Sequence, residues 1–258
     1  MSSAIVVATG VVKDLGQGAA QVRALKGVDV TLQGGELTLL MGPSGSGKTT
    51  LLSILGCILT PGEGEIEIAG ERTTALSAEK LAAVRRRHVG FIFQEYNLFP
   101  TLSAAENVRL ALDVRGYVKR GIAAEASRAL AAVGLADRER SRPRELSGGQ
   151  QQRVAIARAL AGTPSLILAD EPTAALDSDN GKAVMELLAG IAKEPSRAVL
   201  VVTHDPRIVP FADRILSIED GRITADVLGR GTASGGRATG GSMMSARHIK
   251  RRRRGKNV

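Results

Sequence analysis

Gly42-Pro43-Ser44-Gly45-Ser46-Gly47-Lys48-Thr49 stands between an unbroken apolar run at 37–41 and a helical pattern over 48–59. A short run with no polar break suits a central strand covered on both faces. Strand, glycine-rich loop and helix in that order make an anion cradle. The glycines let backbone N–H groups turn inward around a polyphosphate, and the helix N-terminus adds its positive end. In such a loop Lys48 reaches the β- and γ-phosphates and the Thr49 hydroxyl binds Mg2+. The candidate nucleotide-binding residues here are Gly42, Pro43, Ser44, Gly45, Ser46, Gly47, Lys48, Thr49 and Thr50.

Working outward, short apolar runs alternate with helical stretches, the pattern of an α/β fold with a parallel sheet covered by helices. Val28, Val30 and Leu32 alternate with Asp29 and Thr31 and predict a half-buried strand before the Gly34-Gly35 turn. A strand follows at 65–69, a helix from Ser77 to about Arg87, and another strand at 89–93. The stretch 95–164 offers no strand and reads as an all-helical insert. Ser103-x-x-Glu106 is a capping box opening a helix to about Arg115. An alanine-rich helix covers 122–133, and Ser147 caps a third that runs to Ala161. Strands resume at 166–169, 199–203 and 215–218, with a helix over 179–193 between the first two. Asp220-Gly221 is a hairpin turn into a last strand at 223–227.

Two further stretches carry chemistry. Leu166-Ile167-Leu168-Ala169 ends in Asp170-Glu171-Pro172, so a buried strand delivers acids at its C-terminal end, where α/β folds bind nucleotides. Asp170 is the candidate magnesium ligand, direct or through water. Glu171 is the candidate general base that polarises an attacking water. Leu146-Ser147-Gly148-Gly149-Gln150 is a helix N-cap with two glycines. The same string resembles the signature motif of the ATP-binding cassette family, and the resemblance covers residues 4–228.

That resemblance implies a phosphate-loop NTPase core of RecA-like type, an N-terminal antiparallel β subdomain and a helical subdomain at about 95–164. It implies that Ser147, Gly148, Gly149 and Gln150 point a helix N-terminus at the γ-phosphate held by a second copy, so that two cassettes close two composite ATP sites. Gln94 matches the glutamine that touches magnesium and senses the γ-phosphate. Asp177, in Ala175-Leu176-Asp177, matches the loop across the dimer seam, and His204 matches the histidine that contacts the γ-phosphate. The chain departs from the family pattern at one point. No aromatic occurs before Phe91, so adenine packing falls to Leu15 or Val22, and loose discrimination between ATP and GTP is predicted.

Further stretches are similar to the macrolide-exporter and lipoprotein-release branch: Met41 to Thr50, Ser53-Ile54-Leu55-Gly56-Cys57, Gly90 through Leu98, and Asp170-Glu171-Pro172-Thr173 with Leu176-Asp177-Ser178, although that branch often has Gly-Asn where Ala174-Ala175 stand. This implies an ATPase subunit on the cytoplasmic face of the cell membrane, working as a homodimer with a separate transmembrane permease. Four of the six aromatics are Phe91, Phe93, Tyr96 and Phe99. Phe91 and Phe93 are expected in the core, Tyr96 and Phe99 on a groove for a partner helix. The alternative is a non-transport ATPase of the same fold, acting on a cell-division type membrane partner or on nucleic acid or ribosomes. Against the last stand the single cassette and the lack of heptads between 50 and 145. Intact Lys48, Asp170, Glu171 and His204 oppose a decayed binding module.

Composition narrows partners further. Six aromatics in 258 residues make a base-stacking nucleic-acid reader a poor match. One cysteine, Cys57, excludes disulfides and a cysteine-based zinc site; it is expected inside, and Arg85-Arg86-Arg87 as a solvated helix end. The net charge of +9 resides wholly in residues 229–258, which carry nine basic and no acidic residues, leaving 26 of each sign elsewhere. That tail is expected to be disordered and within reach of anionic lipid, which makes the excess charge a poor argument for nucleic acid.

Overall fold

In the computed structural model, which describes residues 3–229, the chain forms two sheets with helices packed against them. Strands β1 (Ala4–Leu15) and β2 (Val22–Gln33) pair antiparallel, and β4 (Glu63–Ile68) and β5 (Glu71–Arg72) extend them into a four-stranded sheet ordered β2-β1-β4-β5. The second sheet has six strands. Strand β3 (Leu37–Met41) lies between β8 (Ala198–Thr203) and β9 (Arg214–Glu219), and β7 (Leu166–Asp170) and β6 (Val89–Ile92) follow β8. All five run parallel, and β10 (Arg222–Leu228) closes the far edge antiparallel to β9.

Both faces of this sheet are buried. Leu37, Leu39, Ile167, Ala169, Val199 and Val201 point to one core, Leu40, Leu166, Leu168, Leu200 and Val202 to the other. The second core is shared with β1, β2 and β4 and with helix α1 (Lys48–Leu55). The first belongs to helices α3 (Ala104–Val114), α4 (Lys119–Ala132), α5 (Gly148–Leu160) and α6 (Ser178–Ala192). Helix α2 (Ala78–His88) leads into β6. Between β6 and β7 the described residues hold helices only, as expected for 95–164.

The departures from expectation have local causes. Helix α1 stops at Leu55, four residues early. Gly56 passes so close to the Phe91 ring that a Cβ there would sit 2.0 Å from Cζ. Cys57 then turns left-handed, at φ 55, and Arg85 Nη1 donates to its carbonyl at 2.6 Å. Cys57 is buried, as expected, and burial pushes its thiol pKa up to about 11. Arg86 and Arg87 are exposed on the last turn of α2, as expected of a solvated helix end, with Arg87 pairing Glu71 at 2.6 Å, and only Arg85 turns inward. Strand β1 has no clean alternation because its register slips between Ala8 and Val11, where Gly10 is left-handed at φ 61. The basic-tail reading, 230–258, lies outside the described residues.

The capping box of α3 is formed as read: Ser103 Oγ accepts from Glu106 N at 3.3 Å, and Glu106 Oε2 accepts from Ser103 N at 2.7 Å. Ser103→Ala is expected to cost about 1 kcal/mol of stability, read as a lower urea midpoint with an unchanged slope.

Candidate functional site

The phosphate loop is shaped by two close approaches. A Cβ on Gly42 would lie 2.1 Å from the Ile218 carbonyl oxygen, and one on Gly47 2.6 Å from that of Ala24. Gly45 and Gly47 are left-handed, at φ 77 and 102, a region where a side chain adds strain. Gly47 caps α1 without a side chain, so the first N–H groups of the helix face outward. Lys48 Nζ donates to the carbonyls of Gly42 at 2.8 Å and Pro43 at 2.7 Å, both within the loop itself. Ser46 Oγ is buried and, among the described residues, has no hydrogen-bond partner. The hairpin after β9 braces the loop, with Gly221 N donating to Ser46 O at 3.1 Å.

Opposite the loop, β7 ends at Asp170 and β8 at Thr203, adjacent strands whose C-terminal ends point the same way. Burial first, and the neighbouring Glu171 second, raise the Asp170 pKa, while Lys48 opposes them. A carboxylate desolvated beside another carboxylate favours a cation between it and a phosphate. Glu171 leaves the strand in a left-handed conformation at φ 46, costly for a non-glycine residue. It is held there from both ends. Its N–H donates to Val202 O at 2.9 Å, Thr203 Oγ1 donates to Oε2 at 3.0 Å, and His204 Nδ1 lies 2.6 Å from Oε1. A carboxylate accepts only, so the His204 proton is on Nδ1. The Glu171 side chain is 15% exposed and that of His204 73%, so the carboxylate is fixed and the imidazole faces outward.

Lys48, Thr49, Thr50, Gln94, Asp170, Glu171 and His204 all line one cleft of about 650 Å³, and Leu15 and Val22 form its far wall with Arg23. Thr49, Gln94 and Asp170 all line it with hard oxygen donors, a set whose chemistry fits Mg2+ shared with a polyphosphate. No aromatic lines the cleft.

The signature residues lie elsewhere. Ser147, Gly148, Gly149, Gln150 and Asp177 do not line this cleft. Ser147 is the N-cap of α5 in a full capping box, its Oγ accepting from Gln150 N at 3.3 Å and its N–H donating to Gln150 Oε1 at 3.0 Å. Gly149 touches the start of α6, where a Cβ would be 2.4 Å from Asn180 Oδ1. Asp177 caps α6, accepting from Asn180 N at 2.9 Å and Asn180 Nδ2 at 2.7 Å, and these bonds hold its pKa below the usual carboxylate range.

Sequence reasoning missed four side chains that build this arrangement. Thr203 orients Glu171. Gln152, fully buried on α5, donates from Nε2 to Pro172 O at 2.8 Å, one residue past Glu171. Asn180 joins Asp177 to the signature helix, and Arg158 holds the turn after Gln94. Thr203 and Gln152 adjoin strings already singled out; Asn180 and Arg158 carry no local signal.

The aromatic expectation holds for Phe91, which packs against the core, and for Phe99 at the groove, and needs correction for Phe93 and Tyr96. Phe91 and Phe93 are partly exposed and stack at 5.5 Å with planes 9° apart. With Phe99 they line a second cavity of about 600 Å³ between the sheet and α3. The Phe91 ring tip reaches inward over Gly56, where the missing side chain leaves it room. Tyr96 does not line that cavity. Its hydroxyl lies against Gly148, 3.0 Å from where a Cβ would stand.

Residues 25–174 match the family described as ABC transporter. The macrolide export ATP-binding/permease protein MacB of Rhodopseudomonas palustris is 44% identical over 228 residues, which are 88% of this chain and 35% of that protein. The chain thus spans about a third of the length of such relatives. The ABC transporter ATP-binding protein MJ0796 of Methanocaldococcus jannaschii is 44% identical over 225 residues, 86% of this chain and 96% of that one. A dimeric structure of that ATP-binding cassette in a post-hydrolysis state with ADP and Pi superposes with a TM-score of 0.78 at 41% identity, covering 86% of this chain and 98% of that one. The family match takes in the phosphate loop, the signature helix and the acidic strand end in a single run, and with this geometry behind it the chain belongs to the ABC transporter family.

Proposed function

We propose that the chain is the ATPase of a macrolide-exporter or lipoprotein-release type transporter, hydrolysing Mg·ATP at the cleft described above and driving a membrane permease. The observation that carries the reading is the fixed Glu171 carboxylate: strained backbone, a hydroxyl bond and a histidine bond all hold it beside Asp170 and opposite Lys48. The loop N–H groups and Lys48 bind the β- and γ-phosphates. Thr49, Gln94 and Asp170 hold Mg2+, which when bound offsets phosphate charge. Glu171 takes the proton of the attacking water, while His204 Nδ1 steadies the carboxylate; where Nε2 also carries a proton, that edge donates to a γ-phosphate oxygen.

Because Ser147–Gln150 stand away from their own cleft, they act on the γ-phosphate held by a second copy, so the working form is a homodimer. MacB relatives of the chain carry a permease in their name. Among the described residues no helix is long and apolar enough to cross a membrane, so the permease is a separate segment or chain and the cassette sits peripherally on the cytoplasmic face. The cavity of Phe91, Phe93 and Phe99, rimmed by Arg85 and Arg86, is the permease contact, and the basic tail adds attraction to anionic lipid.

Purification in mild detergent is the test. A co-purifying permease is expected; ribosomes or DNA in its place would overturn the transport reading. Phe99, half exposed at the cavity, gives a sharper one. Phe99→Ala should leave basal ATP turnover within about twofold and lower permease-stimulated turnover several-fold, by loss of one buried aromatic at an interface. Equal loss of both would count against the contact.

A further inference from the structure

The turn that follows Gln94 is held in an unfavourable conformation by a single cation. Tyr96 and Asn97 are consecutive non-glycine residues with left-handed backbones, at φ 59 and 50. Each such residue is strained, and a pair persists only where its surroundings impose it. Arg158, on the last turn of α5, imposes it here: Nη2 donates to Tyr96 O at 2.9 Å, and Nη1 donates to Asn97 O. Burial lowers the Arg158 pKa, and among the described residues no carboxylate pairs with it. An arginine kept half-buried without a counter-ion, with both terminal nitrogens spent on two strained carbonyls, is placed for geometry rather than charge balance. The N-terminal end of the same helix is the signature segment, where the Tyr96 hydroxyl lies against Gly148. Gln94 lines the nucleotide cleft, and Asn97, three residues on, lines the phenylalanine cavity together with Arg158.

We propose that Arg158 is a positioning residue: its guanidinium fork holds the Tyr96–Asn97 turn, sets where Gln94 stands in the nucleotide cleft, and makes Gln94 move with the signature helix. The inference rests on the reading of Gln94 as a magnesium ligand, but the clasp itself does not. Three measurements on the full chain separate the two. In the nucleotide-free protein, Arg158→Ala should speed amide hydrogen exchange across 95–98 by roughly 10- to 100-fold, since it releases two bonds to a charged donor. Exchange elsewhere in α5 should stay within about twofold of wild type. With Mg·ATP, kcat should fall about tenfold or more while KM for ATP moves little, because misplacing one ligand affects the reacting geometry more than ground-state binding. Arg158→Lys, which keeps the charge but not the fork, should resemble Arg158→Ala. Asn97→Gly added to Arg158→Ala should restore much of kcat, because glycine adopts the left-handed turn without a clasp.

Unchanged exchange at 95–98 would overturn the proposal. So would a global rise in exchange with no rescue by Asn97→Gly, which would make Arg158 a packing residue of α5. Faster exchange at 95–98 with an unchanged kcat would overturn the link to Gln94. If Gln94→Ala itself then hydrolyses at the wild-type rate, the reading of Gln94 has failed and not the clasp.

Discussion

Replacing Glu171 by glutamine is expected to lower ATP turnover about 10²- to 10⁴-fold, the usual range for loss of a general base. Binding should survive. The substitution keeps shape, and the new amide oxygen still accepts from Thr203 Oγ1, which stands 3.0 Å from Oε2 in the native protein. What it removes is the capacity to take a proton from water. A protein that binds ATP and cannot hydrolyse it should accumulate in the closed state, so sizing chromatography with Mg·ATP should show a dimer that wild type forms only briefly. His204→Ala should also slow turnover, because it frees a carboxylate otherwise bonded at 2.6 Å. The two effects should not add, since both act through one carboxylate. Wild-type phosphate release by Glu171→Gln would remove Glu171 from the role of base.

The contrast between what was legible and what was not follows the range of each interaction. The phosphate loop, the acid pair and the signature helix are local strings, because each needs glycines, a cap or an acid at fixed offsets within one strand–loop–helix unit. The phosphate loop and the acid pair share one cleft because the parallel sheet brings the C-terminal ends of β3, β7 and β8 together whatever the side chains are; the signature helix stands apart from it. The capping boxes at Ser103 and Ser147 were readable for the same reason. Strand β1 was not, because its bulge at Gly10 breaks the alternation that signals a strand. Phe93 was misplaced inward because hydrophobicity gives burial only on average, whereas Phe91 does pack against the core. Whether Phe91 goes in or out depends on Gly56 and Leu168, far away in the chain. Arg158 joins residues sixty apart in sequence through backbone carbonyls, and carbonyls leave no trace in residue identity.

Lys48→Ala should act one step earlier than Glu171→Gln, on binding. Lys48 Nζ has two partners in this structure, the carbonyls of Gly42 and Pro43, and both belong to the loop that would wrap the phosphates. Turning from those carbonyls to phosphate oxygens exchanges neutral acceptors for charged ones, and hydrogen bonds between charged groups contribute about 1.5–3 kcal/mol each. Losing one or two lowers affinity for Mg·ATP by about 10- to 10⁴-fold, at about 1.4 kcal/mol per factor of ten. The fold should not share the loss. The loop is held by Gly42 against Ile218 and by Gly221 N on Ser46 O, neither of which involves the lysine. Equilibrium binding of a fluorescent ATP analogue, with a urea melt alongside, separates the two outcomes. Lys48→Ala should also abolish the dimer trapped by Glu171→Gln, because a signature helix reaching across the seam finds no γ-phosphate to hold. A double variant that still dimerised with Mg·ATP would mean that the seam closes without the phosphates, and would overturn the composite-site reading while leaving the roles of Lys48 and Glu171 within one cleft to be judged by binding and turnover.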